Sequence, residues 1–71
     1  MNIDKEYLHI LDKIISILWV LQYDYGVIVY RSKDENIKIG IDSKYESEKP
    51  LENPEVKKLL DELYSWKNRL H

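Results

Sequence analysis

A chain of 71 residues buries only about 60% of the surface its unfolded form exposes, so it holds one small domain and lacks the scaffold of most enzymes. It has no Cys, which excludes a disulfide frame, a thiolate metal site and a thiol nucleophile. Lys and Arg number 11 against 13 Asp and Glu, a balance that suits neither a strongly basic nucleic-acid binder nor an acidic mimic of DNA.

The periodicity predicts a first helix over 2–23. Tyr7, Leu11, Ile14, Leu18 and Leu21 recur at helical spacing. A second stripe runs through Ile3, Ile10 and Ile17, and a third through Leu8, Ile15 and Trp19. A surface helix needs an apolar stripe of little more than 100°, and this one is apolar over most of its circumference. It must therefore be covered from more than one side. Asn2 and Asp4 are the candidate N-caps. The apolar stretch at 14–21, broken by Ser16, is too short for a span of about 20 residues. Early Asp4 and Glu6 do not suit a signal peptide, so the expectation is a cytoplasmic protein with no membrane contact.

After Gly26 the run Val27-Ile28-Val29-Tyr30-Arg31 is β-branched and aromatic and predicts a strand. Ile37-Lys38-Ile39-Gly40-Ile41-Asp42 predicts a second strand, with a polar turn at 32–36 between them. A four-residue loop over 33–36 would put Asn36 in a left-handed conformation and pair Tyr30 with Ile39 and Ile28 with Ile41. Ile28, Tyr30, Ile37, Ile39 and Ile41 would then form the core face. Val27, Val29, Arg31, Lys38, Gly40 and Asp42 would form the outer one. A one-residue slip would instead pair Val27 with Ile41 and Val29 with Ile39. Residues 43–53 are polar and predict a loop. Asn53-Pro54-Glu55 then starts a second helix that buries Val56, Leu59, Leu60, Leu63, Trp66 and Leu70. Its opposite face carries Lys57, Lys58, Asp61, Lys67 and Asn68.

The expected fold is a single α+β domain over 1–71: helix, strand, strand, helix, with an antiparallel hairpin packed by two helices. A lone hairpin has open edges, and the first helix has apolar surface to spare. A homodimer is the expected solution, through hairpin edges or across the first helices.

No constellation points to catalysis, a cofactor or a metal. Glu6, His9, Asp12 and Lys13 share a helix side, but one His with solvated neighbours reads as an exposed face. The paired carboxylates Asp34-Glu35 and Asp61-Glu62 fall in a turn and on a polar helix face, where nothing desolvates them. Single glycines at 26 and 40 make no phosphate loop. Arg31 and Lys38, expected as neighbours on the outer sheet face near Tyr23 and Tyr25, suggest a second reading as a nucleic-acid-binding accessory protein. Asp24, Asp34, Glu35 and Asp42 around them would repel phosphate.

The aromatic residues are more informative. Six Tyr, two Trp and no Phe give every large ring a polar handle, which suits surfaces wet on one side and interface hot spots. The interface candidates are Trp19, Tyr23, Tyr25, Val27, Val29 and Arg31.

Asn53-Pro54-Glu55-Val56 with Leu59-Leu60-Asp61-Glu62-Leu63 resembles the second helix of the small sporulation aspartyl-phosphate phosphatases, helical hairpins with a Ser-Gln-Glu-Leu-Asp motif. The aligned stretch here is Leu60-Asp61-Glu62-Leu63-Tyr64, without the Ser and Gln and with Tyr64 in place of the final Asp. The predicted strands also break that family's pattern. The match is read as convergence of an amphipathic helix. At class level the chain resembles the compact accessory proteins of phages and mobile elements, including anti-CRISPR and other anti-defence inhibitors. Its abundance of Ile, Lys, Asn and Tyr, whose codons are AT-rich, fits a low-GC bacterium or its phage as the source. The expected function is a non-enzymatic module that occludes or tethers a bacterial protein partner.

Overall fold

A computed structural model of the chain describes residues 4–70. It is a small α+β domain with the order α1 (Lys5–Tyr25), β1 (Val27–Arg31), β2 (Ile37–Ile41) and α2 (Pro54–Asn68). Two short 3-10 helices, Ser43–Glu48 and Pro50–Glu52, occupy the stretch expected as a plain loop. The Asp42 side chain starts the first of them by accepting from the Lys44 backbone N–H at 3.0 Å.

Asp4 caps α1, its carboxylate accepting from the Glu6 N–H at 2.9 Å. The other candidate cap, Asn2, and Ile3 of the second stripe lie outside the described residues. α1 ends at Gly26, whose φ of 66° and ψ of 26° form a left-handed cap with its N–H on the Gln22 carbonyl. β1 begins at the next residue, so this one glycine turns the chain from helix into sheet. Asn53 caps α2, accepting from the Glu55 N–H at 2.9 Å, and Pro54 fills the first helical position.

The hairpin register corrects the four-residue loop. Val27 pairs with Ile41, Val29 with Ile39, Tyr30 with Lys38 and Arg31 with Ile37. Ser32 donates its backbone N–H to the Asn36 carbonyl at 3.0 Å, and Glu35 donates to the Ser32 carbonyl at 2.9 Å. The loop is therefore three residues, a turn closed by a left-handed residue. That residue is Glu35, with φ 65°, and not Asn36. Asp34 holds the turn together. It accepts from the Ser32 hydroxyl, from the Asn36 N–H at 3.2 Å and from the Asn36 amide at 3.1 Å. These bonds, that from Ser32 foremost, hold its carboxyl below the usual Asp value.

Glu35→Gly should stabilise the protein. A left-handed conformation costs an L-residue roughly 1–2 kcal/mol. Glycine's larger unfolded-state entropy takes back about 0.5–1 kcal/mol. A net gain of about 0.5–1 kcal/mol should appear as a higher urea midpoint with an unchanged slope. A lower midpoint would mean that the Glu35 side chain contributes more than its backbone costs.

The one-residue difference in register exchanges the two faces of the sheet. Val27 is buried, and Val29 and Ile39 pack against the core. Ile28 and Tyr30, expected inside, are instead exposed, with the Tyr30 ring lying near Gly40. The core is Ile17 and Leu21 of α1, Val27 of β1, and Val56 and Leu63 of α2. Leu59, Leu60 and Trp66 of α2 pack on it. Trp66 is clasped from two sides: His9 meets it edge-on at 5.6 Å, and the Arg69 guanidinium lies 4.8 Å from its ring centre. Arg69 also pairs with Glu6 at 3.4 Å, tying the end of α2 to the start of α1.

The molecule measures 46 × 27 × 16 Å. A helix with its side chains is about 10–12 Å across, so the domain is a slab little more than one helix thick. This thinness leaves α1 covered from one side only.

Candidate functional site: the outer face of α1

The three stripes of α1 meet different surroundings. Ile10, Ile17 and Leu21 are buried. Leu11, Ile14 and Leu18 are half-buried, with Ile14 and Leu18 against the core. The third stripe is exposed: Leu8 and Ile15 at 50% each, and Trp19 at 56%. An exposed leucine alone signifies little, but a contiguous apolar stripe along a helix marks an interaction surface.

Trp19 has a partner on its own helix. Tyr23, one turn on and 59% exposed, stacks on the indole with ring centres 4.8 Å apart and planes within 13°. Residues four apart on a helix are neighbours, so the stack follows from spacing alone. The Tyr45 hydroxyl reaches the Tyr23 carbonyl at 3.5 Å and links this end of α1 to the first 3-10 helix. The pair makes a flat aromatic platform with an indole N–H and a phenol hydroxyl at its rim. Two rings held against each other lose little rotamer freedom on docking, which favours binding.

The six interface candidates do not form one surface. Trp19 and Tyr23 come together on α1. Tyr25 is half-buried and packs on the core. Val27 is buried within it and Val29 lies against it, so both are corrected to core positions, for the register reason above. Arg31 is exposed at the far end of β1. Its expected neighbour Lys38 pairs with Tyr30 instead, so Arg31 and Lys38 stand on opposite sheet faces. The basic patch on which the nucleic-acid reading rested is thereby divided.

Sequence reasoning missed the exposure of Ile28 and Tyr30, because it placed them inside. The Ser32, Asp34 and Asn36 side chains, which favour a short turn, were the available signal.

A groove of about 470 Å³ lies between α1 and α2, floored by Ile17, Val20, Leu59 and Trp66, with Lys13, Glu62 and Arg69 at its rim. Its cations are partly committed, since Arg69 already faces Glu6 and Trp66. Among the described residues no three His, Cys, Asp or Glu gather as metal ligands, and no helix is long and apolar enough to cross a membrane. Comparison of the chain with protein-family models, with curated proteins and with solved structures finds no match.

Proposed function

We propose that this chain is a protein-binding module whose docking surface is the outer face of α1, and that it acts by occluding or tethering a partner. The observation that carries this reading is the exposed Leu8, Ile15 and Trp19 stripe ending in the Trp19–Tyr23 stack. Trp and Tyr are among the residues most enriched at interface cores and hot spots. The small size and the abundance of residues with AT-rich codons fit an inhibitor carried by a phage or mobile element of a low-GC bacterium as well as a protein of the host itself, and a bacterial defence protein is the first class of partner to test.

The experiment is affinity capture from bacterial lysate with three matched baits: wild type, Trp19→Ala and Lys58→Ala. Truncating a hot-spot aromatic typically costs about 2 kcal/mol or more of binding. Proteins that matter should be retained by wild type and Lys58→Ala and lost from Trp19→Ala. Retention should survive raised salt, because apolar docking lacks the steep salt dependence of phosphate contacts. Captured proteins indifferent to Trp19→Ala, or captured nucleic acid that salt releases, would reject the reading.

A further inference from the structure

The occupant of this face can be named from area, pattern and shape. The chain exposes 5788 Å². A folded monomer of 8.6 kDa is expected to expose roughly 4,700 Å². The excess is on the order of 1,000 Å², and each partner in a standard protein interface buries about 800 Å². The surplus is thus the area that one ordinary interface removes.

The pattern on α1 says what kind of interface. Leu8, Leu11, Ile15, Leu18 and Gln22 are spaced 3-4-3-4, the repeat that keeps one seam of a helix facing another helix. No member of the seam is charged. A surface that must meet itself cannot carry one sign of charge along its centre; the seam residues carry none, and the exposed Asp12 flanks them beside Leu8 and Ile15. α1 runs Lys5–Tyr25, so Ile15 is its midpoint. In an antiparallel pair the midpoint residue falls on the two-fold axis and meets its own copy. Leu11 of one copy then lies beside Trp19 of the other, and Leu18 beside the rim residue Asp12. Antiparallel helix dipoles attract, and the arrangement sends the two hairpins to opposite ends, where they do not collide.

Resting on the reading of this face as a docking surface, we infer that its occupant is a second copy of this chain, paired antiparallel through α1 about an axis at Ile15. A slab 16 Å thick thereby becomes a two-layered body with α1 in its middle. A different protein that docks on the same face must compete with the second copy, so its capture weakens as the chain's own concentration rises.

The test has two arms. Sedimentation equilibrium at micromolar concentration should give twice 8.6 kDa for the wild type. Ile15→Asp should raise the dissociation constant about 100-fold or more, since it buries two like charges against each other. Ile15 is half exposed in the single chain, so the variant should keep its helical circular dichroism. The second arm uses the absence of cysteine. Ile15→Cys should form a disulfide-linked dimer under mild oxidation, because a residue on the axis brings its two sulfurs within bonding reach. Ile28→Cys, exposed on the hairpin, should not. A wild type that sediments as a monomer, or a dimer indifferent to Ile15→Asp, would overturn the second copy as occupant. The docking reading falls separately, if Trp19→Ala leaves partner capture unchanged.

Discussion

Leu63→Ala should leave the protein largely unfolded at room temperature. Leu63 is 5% exposed and sits in the cluster that joins α1, β1 and α2, with Ile17, Leu21, Val27 and Val56 around it. Removing a buried leucine to the β-carbon costs about 2–5 kcal/mol, from lost transfer energy and the cavity left behind. A domain of this size has only about 3–5 kcal/mol in total. One substitution can therefore use up the whole margin. Lys58→Ala, on the exposed face of α2, should stay within about 0.5 kcal/mol of wild type. Urea titration followed by circular dichroism reads both. If the chain pairs as inferred, the midpoint should also rise with protein concentration, because the second copy binds only the folded state. A folded and stable Leu63→Ala would mean that α2 is not part of the core.

The helices were legible in the sequence because two independent signals agreed at each. Periodicity marked their course, though α1 runs two residues past the expected Tyr23 and α2 stops two short of Leu70, and Asp4 and Gly26 marked the ends of α1 and Asn53 and Pro54 the start of α2 with residues whose side chains or backbone suit those positions. The hairpin was legible as an element but not in its register. Alternation discriminates only when one face is polar, and here Val27 and Val29 on one face compete with Ile28 and Tyr30 on the other. The decision fell to the turn, where Asp34 gathers Ser32 and Asn36 and shortens the loop by one residue. The two 3-10 helices had no apolar period to announce them, and their start signals were single residues, Asp42 for the first and Pro50 for the second. As for the site, the third stripe of α1 was legible as surplus apolar surface. Its separation from Val27, Val29 and Arg31 was not, since that followed from the register.

Gly26→Ala should cost nearly as much as the core cavity, though it adds one methyl and removes nothing. Two effects act together. The first is local: Gly26 has φ 66°, and an L-residue there pays roughly 1–2 kcal/mol. The second is a contact: a Cβ at this position would lie 2.1 Å from Cδ2 and 2.5 Å from Cγ of the Tyr45 ring. Real carbons do not approach so closely, so the ring must move. Turning the ring does not relieve the clash fully, because the Tyr45 Cβ would itself lie 2.9 Å away and its backbone is tied down, the Tyr45 N–H donating to the Asp42 carbonyl at 2.9 Å and the Asp42 N–H to the Gly26 carbonyl at 2.8 Å. Overpacking of this kind adds about 1–3 kcal/mol. The same glycine thus ends α1, begins the hairpin and seats the first 3-10 helix. A double-mutant cycle separates the two effects. In a Tyr45→Ala background the contact is gone, and Gly26→Ala should cost only the backbone part, about 1–2 kcal/mol. Equal costs in the two backgrounds would show that the ring yields freely and that backbone conformation alone fixes glycine at 26. A cost below about 0.5 kcal/mol in the wild-type background would reject both effects, and with them the left-handed cap that directs α1 into β1.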